Sequence, residues 1–228
     1  LDLYGWCSIF NCRPSAVCLR YKEATYVNDI IFRLAQVGDA NEIYDIYAPY
    51  VEHTAFTFEY EAPGIPALMD RIINTMNTYP YVVCLINGRV AGYTYASRHM
   101  VRAAYQWNAE LSVYVDGRFR GMGIGTALYT AIIEMLKLQN VQNIFACISR
   151  DNTSSRRLHE NMGFEVVGLY RNAGYKLGEW HDIVWMERCI GTHDADPKAF
   201  KGIQEIDGGM IDEILKRSSS LCRPKIAG

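Results

Sequence analysis

The sequence predicts a mixed α/β domain with an antiparallel start and a strand–helix–strand unit at its centre. Three observations predict it. Two apolar runs, Tyr81–Ile86 and Arg89–Tyr95, flank Asn87-Gly88, a pair that tolerates the positive φ a tight hairpin demands. A glycine-rich loop after Val115 separates the strand-like run Glu110–Val115 from an amphipathic helix. Another apolar strand, Asn143–Ser149, follows that helix.

The pattern begins near Ile30, and Ile31–Ala35 reads as the first strand. Asp39 then reads as a helix N-cap, with Glu42 three residues on completing a capping box. Ile43, Ile46, Tyr47 and Tyr50 follow at helical spacing. A second helix is expected from Pro66 to Thr78, with Leu68, Ile72, Ile73 and Met76 facing inward. After the hairpin and the strand Glu110–Val115, the helix beyond the loop carries Leu128, Ala131, Ile132, Met135 and Leu136 on one side. Strand Asn143–Ser149, a short helix over Ser155–Asn161, and strands over Phe164–Tyr170 and His181–Arg188 complete the pattern. One domain over residues 30–190 is therefore expected, between an N-terminal extension (1–29) and a C-terminal tail (191–228) with one short helix near Met210–Arg217.

Composition narrows the function classes. The 228 residues are 50% hydrophobic and 21% charged, close to an ordinary soluble protein. No apolar run reaches the ~18 residues of a membrane span, and the N-terminus lacks the basic lead of a secretory signal, so a cytoplasmic protein is expected. A net charge of −2 gives no basic face for nucleic acid. Seven cysteines, odd in number and without a C-x-x-C pair, argue against a disulfide framework and against a zinc site. No metal is expected, and Cys84 and Cys147, inside apolar runs, read as small core residues.

The chemistry gathers at Val113–Thr126. Glycines between a strand and a helix let backbone N–H groups approach an anion, and the helix N-terminus adds positive potential. Arg120 could add its charge to hold a pyrophosphate. A plain structural turn is the competing reading. A dinucleotide fingerprint starting at Gly121 fails at Thr126, and the Gly-Lys-Ser/Thr of a Walker A loop is absent.

The spacing Arg120-x-x-Gly123-x-Gly125 matches the (Q/R)-x-x-G-x-(G/A) motif of the GNAT acetyltransferases. Downstream, Asn152-Thr153-Ser154-Ser155-Arg156-Arg157-Leu158-His159-Glu160-Asn161-Met162-Gly163-Phe164 resembles that superfamily's N-x-x-S-x-x-L-(Y/H)-E-x-x-G-F block. Within the superfamily, Thr57–Glu61, Ala104–Val115 and Ala173–Asp182 resemble the phosphinothricin and methionine-sulfoximine N-acetyltransferases. The resemblance covers roughly residues 30–190 and neither tail.

It implies a GNAT fold, a mainly antiparallel twisted sheet flanked by helices, with acetyl-CoA as co-substrate, a small amine as acceptor and a homodimer as the assembly. Arg120, Gly121, Met122, Gly123, Ile124, Gly125 and Thr126 would hold the cofactor with Asn152 and Ser155. Val113, Tyr114 and Val115 would flank the pantetheine arm and supply an oxyanion donor. Glu110 matches the family's general base, and His159 stands where many relatives carry a Tyr that assists the leaving thiolate. Arg102, suited to bidentate capture of a carboxylate, Tyr105 and Phe58 match acceptor-side residues, Phe58 reaching the acceptor in the family's dimers. Two residues before Arg102, where relatives usually carry a second cation, stands Met100. That departure points to a methionine-derived acceptor over the doubly anionic phosphinothricin. Competing readings keep the enzyme with a different amine (a protein N-terminus, a polyamine, an aminoglycoside), or replace it with a non-catalytic acyl-CoA-binding module. The trailing aromatics Tyr175 and Trp180 and the ring of His181 are assigned packing roles.

Overall fold

The computed structural model describes residues 29–223. Seven strands, β1 (Ile30–Leu34), β2 (Tyr81–Ile86), β3 (Arg89–Arg98), β4 (Asn108–Val115), β5 (Asn143–Ser149), β6 (Glu165–Lys176) and β7 (Glu179–Cys189), form one sheet. Their order is β1-β2-β3-β4-β5-β7-β6, and every neighbour is antiparallel except β4 with β5. The helices are α1 (Ala40–His53), α2 (Ile65–Met76), α3 (Ile124–Leu138), α4 (Thr153–Asn161) and α5 (Gly208–Ser219). Among the described residues no helix is long and apolar enough to cross a membrane.

The expected hairpin forms as β2–β3, with Asn87 at φ 50° and Gly88 at φ 79°. Its strands are buried almost throughout because both faces are covered. Val82, Cys84 and Ile86 join α3 residues in one core cluster. Tyr81 and Val83, pointing the other way by the strand's period of two, join Ile43, Ile46 and Tyr47 of α1 and Leu68 and Ile72 of α2. Each such buried aliphatic side chain stabilises the fold by about 1.5–3 kcal/mol relative to exposure.

Four expectations change. Asp39 does precede α1, but its side chain makes no cap bond. Its carboxylate instead takes both guanidinium nitrogens of Arg33 at 2.6 and 2.7 Å and the Gln36 N–H at 2.7 Å. Glu42 accepts from the Val90 N–H, so neither half of the predicted box forms; tertiary partners outcompete the local ones. Ile73 is 45% exposed, since α2 buries only the stripe of Leu68 and Ile72. Cys147 is exposed, for a reason given below.

The fourth concerns the chain after residue 190, read from sequence as a tail with one short helix near Met210–Arg217. The helix forms as α5, and its Ile211, Ile214 and Leu215 share a core cluster with Phe32, Cys84 and Met122, so the segment packs on the domain. Asp207 caps this helix by accepting from the Met210 N–H. The amphipathic stripe is covered by β1 and α3. The N-terminal extension lies outside the described residues, apart from Asp29, whose backbone meets Asn87.

Candidate active site

The parallel pair β4–β5 stays in register at only three positions, Asn108↔Asn143, Ala109↔Ile144 and Glu110↔Phe145. Beyond them β4 remains bonded to β3 as far as Val115, and β5 to β7 as far as Ser149. The sheet therefore splits from Leu111 onward, and the β4 edge facing the split has no ladder partner there. A cavity of about 470 Å³ fills the opening, walled by Leu111–Val115 on one side and Ala146–Ile148 on the other. Buried backbone groups without partners are costly, so an extended polar ligand that pairs with them suits this gap.

The glycine loop closes the wide end. Gly121 (φ 83°) and Gly123 (φ 76°) adopt left-handed backbone, which side-chain-bearing residues rarely do. Their turns aim the start of α3 at the cavity, where Ile124, Gly125 and Thr126 line it. The first N–H groups of a helix have no partner within it. Arg120 is held over this end, donating to the Tyr50 hydroxyl at 3.2 Å, while Tyr50 donates to the Val115 carbonyl at 2.7 Å. Across the gap Asn152 caps α4 by accepting from the Ser155 N–H at 3.1 Å, and both line the cavity. Backbone donors, a helix start and one guanidinium make this a fitting cradle for a pyrophosphate.

Deeper in, His159 is 2% exposed and bonded at both ring nitrogens. Nδ1 lies 2.7 Å from the Ser155 carbonyl, and Nε2 lies 3.0 Å from the Tyr129 hydroxyl. A carbonyl can only accept, so Nδ1 carries the hydrogen and Nε2 accepts from Tyr129. Burial, opposed by the Ser155 bond, lowers the imidazole's pKa and keeps it neutral. Cys147 opens into the cavity from β5 because β4 has left its side. The apolar walls and then the Glu110 charge push its thiol up to about 12.

Glu110 occupies the last position of β4 paired with β5, one residue before the split. Its side chain keeps 29% of its exposure, and burial raises its pKa. Oε2 lies 3.7 Å from Nδ1 of His99, a buried atom with no hydrogen-bond partner. His99 stacks flat on Phe145 at 4.0 Å and edge-on to Trp185, and burial lowers its pKa. A carboxylate in this setting binds a proton more readily than one in water.

The model for an acetyltransferase (GNAT) domain matches residues 32–185. The chain belongs to the GNAT acetyltransferase family. A phosphinothricin N-acetyltransferase of Streptomyces viridochromogenes is 35% identical over 76% of this chain and 94% of its own length. An L-methionine sulfoximine/L-methionine sulfone acetyltransferase of Salmonella typhimurium is 29% identical over 72% of this chain and 96% of its own. Among solved structures, a phosphinothricin acetyltransferase from Sinorhizobium meliloti in complex with acetyl-CoA superposes with a TM-score of 0.71. It shares 34% identity and covers 74% of this chain and 93% of its own.

On this GNAT chain, Val113, Tyr114, Val115, Arg120, Gly121, Gly123, Ile124, Gly125, Thr126, Asn152, Ser155 and His159 line this cavity together. Met122 does not: its side chain is 1% exposed and belongs to the core beneath the loop. Glu110 stands at the apex of the split, outside the lining itself. Arg102 and Tyr105 sit on the exposed connection leading into β4, where the Arg102 carbonyl accepts from the Tyr105 N–H. Phe58 is elsewhere. Its ring packs on Gly174, where an added Cβ would fall 2.2 Å from the ring, and meets His181 edge-on at 6.0 Å. Lys176 donates to the Thr57 carbonyl and Tyr60 to the Tyr175 carbonyl, so residues 57–60 bridge from α1 to the β6–β7 hairpin. The described contacts of Phe58 are thus with the β6–β7 hairpin.

Among the lining residues that the sequence reading did not assign to the site are Tyr129, Tyr50 and Phe56. Tyr129 had a signal, since it stands one helical turn after Gly125 and must overlook the loop. Tyr50, from the end of α1, and Phe56, from the segment that follows, had none, because only tertiary packing carries them to β4.

Proposed function

We propose that the chain is an N-acetyltransferase that transfers the acetyl group of acetyl-CoA directly to the amino group of a small amino acid or analogue. The methionine sulfoximine, methionine sulfone and phosphinothricin class is the proposed acceptor, and Glu110 the general base. One observation carries this reading: the split between β4 and β5 opens one residue beyond Glu110 and ends at the glycine loop. A cofactor lying along it would present its far end to that carboxylate.

Bound acetyl-CoA supplies an activated acyl carbonyl. The residues of the chain do the rest. An amino acid's amine is mostly protonated at neutral pH, and a positioned base contributes about 10²–10⁴-fold by removing that proton. Burial raises the pKa of Glu110 and so favours proton acceptance. An unpaired N–H of Val113–Val115 is the proposed donor to charge developing on the carbonyl oxygen. As the N–C bond forms the C–S bond breaks, and a thiol pKa of about 8.5 makes the thiolate a tolerable leaving group. Direct transfer is favoured over an acyl-enzyme because the cavity's thiol, Cys147, is pushed up to about 12 and stays protonated.

Arg102 is proposed to bind the acceptor carboxylate, with Tyr105 beside it and Phe58 contributed across a homodimer; the proposed compartment is the cytoplasm. Met100 in place of a second cation favours a methionine-derived acceptor. Purified protein is incubated with acetyl-CoA and a panel of methionine sulfoximine, methionine sulfone, phosphinothricin, ordinary amino acids, spermidine and a short peptide. Free CoA is followed with a thiol reagent. Turnover on the first three, lost in Glu110→Gln, is the expected result. Turnover confined to peptide or polyamine would overturn the acceptor class, and acetyl-CoA binding without turnover on any amine would overturn the enzyme.

A further inference from the structure

We propose that the end of the C-terminal segment, Leu221–Arg223, is a positioning element for the acetyl-CoA loop. The GNAT match ends at residue 185, so this segment lies beyond the shared domain. After α5 the chain turns through Leu221 and Cys222, whose N–H groups donate to the Ser218 and Ser219 carbonyls. It then runs against the loop. The Arg223 N–H donates to the Met122 carbonyl at 2.8 Å. The Leu221 carbonyl oxygen lies 3.6 Å from where a Cβ on Gly123 would stand.

Met122 is the residue between the two left-handed glycines, Gly121 and Gly123. Glycine-rich backbone has the most conformational freedom to lose on ordering, and a loop not already ordered charges that loss against ligand binding. Here Met122 is fixed twice. Its side chain is clasped in the core with Ile211, Ile214, Leu215 and Cys222, and its carbonyl is fixed by Arg223. Cys222 anchors the segment, buried in the same core cluster as Cys84 of β2. None of Leu221, Cys222 and Arg223 lines the cavity, so they act through the loop and not on the ligand.

The inference rests on acetyl-CoA as the cavity's ligand, and the test separates the two. Acetyl-CoA binding is measured by calorimetry, alongside kcat, KM and melting temperature, for the full chain, a chain ending at Arg223 and a chain ending at Cys222. Loss of one backbone hydrogen bond predicts acetyl-CoA affinity weakened about three- to tenfold on ending at Cys222. KM for acetyl-CoA should rise with it and kcat stay level, while the chain ending at Arg223 behaves as the full chain. Arg223→Pro removes the same donor within the full-length chain and should give the same split, with Arg223→Ala, which keeps the N–H, rescuing it. Unchanged affinity on ending at Cys222 and in Arg223→Pro would overturn the inference, as would a fall in kcat at constant KM. A full chain that binds no acetyl-CoA would overturn the cofactor reading and this inference together, with no variant needed to see it.

Discussion

The hydroxyl of Tyr129 donates to Nε2 of His159 across 3.0 Å, while Nδ1 of the same ring is committed to the Ser155 carbonyl. In the neutral ring both nitrogens are engaged within the protein, Nδ1–H by the Ser155 carbonyl and Nε2 by the Tyr129 hydroxyl. His159→Phe would strand a buried hydroxyl, so a loss of about 1–3 kcal/mol is expected in chemical denaturation. The imidazole's pKa is lowered by burial, so the unfolded chain binds the extra proton first. Stability of the wild type should rise with pH from the acid side up to about 6.5, the unfolded value. In His159→Phe that rise should shrink, and an unchanged profile would refute the neutral buried ring.

Glu110→Gln should lower kcat by about 10²–10⁴-fold if the carboxylate is the base. It should also raise the melting temperature at pH 7. The folded-state pKa of Glu110 is raised by burial, so its contribution to stability is full below the unfolded pKa and is lost as pH rises through the folded one. The gain from Gln should vanish near pH 4. In the wild-type pH–rate profile the acid limb should lie above the ordinary carboxylate range.

Arg120→Ala removes the guanidinium held over the loop by Tyr50. A charge-assisted bond to phosphate predicts acetyl-CoA affinity reduced about 10- to 100-fold, with kcat at saturation little changed. Tyr50→Phe, which keeps Arg120 but removes its acceptor and the bond to the Val115 carbonyl, should give a smaller loss of the same kind. Initial rates across a range of acetyl-CoA concentrations separate KM from kcat.

Met100→Lys places a second cation two residues before Arg102. The ratio of kcat/KM for phosphinothricin to that for methionine sulfone should rise about 10-fold, the effect of roughly 1.4 kcal/mol in transition-state binding. An unchanged ratio would remove Met100 from the account of acceptor choice.

Much of the fold and cofactor half of the site is legible in local sequence. The Asn87-Gly88 turn and the stripe Leu128, Ala131, Ile132, Met135, Leu136 of α3 follow from contacts within a few residues, and the structure has both. The β6–β7 hairpin was harder. Its turn is Leu177-Gly178, with Leu177 at φ 54°, and a leucine at positive φ is not a turn signal, so the strands run longer than their apolar runs suggest. Ile73 and Cys147 show the same limit from another side. Apolar character marks a residue that can be buried, but whether a neighbour covers it depends on α2's orientation and on where β4 leaves β5.

By itself the sequence determined the order of strands and helices and the loop Arg120–Gly125 with its left-handed glycines. Each is set by turn chemistry or by side chains within about four residues. Tertiary structure alone decided that β4 and β5 part after Glu110, that Asp39 pairs with Arg33 instead of capping α1, and that Tyr129 meets His159. It also decided that the Arg223 N–H, past residue 190, meets the Met122 carbonyl of the glycine loop. These join residues far apart in the chain, where closing the loop costs entropy that only the collective burial of the core repays. No local pattern encodes which partner wins.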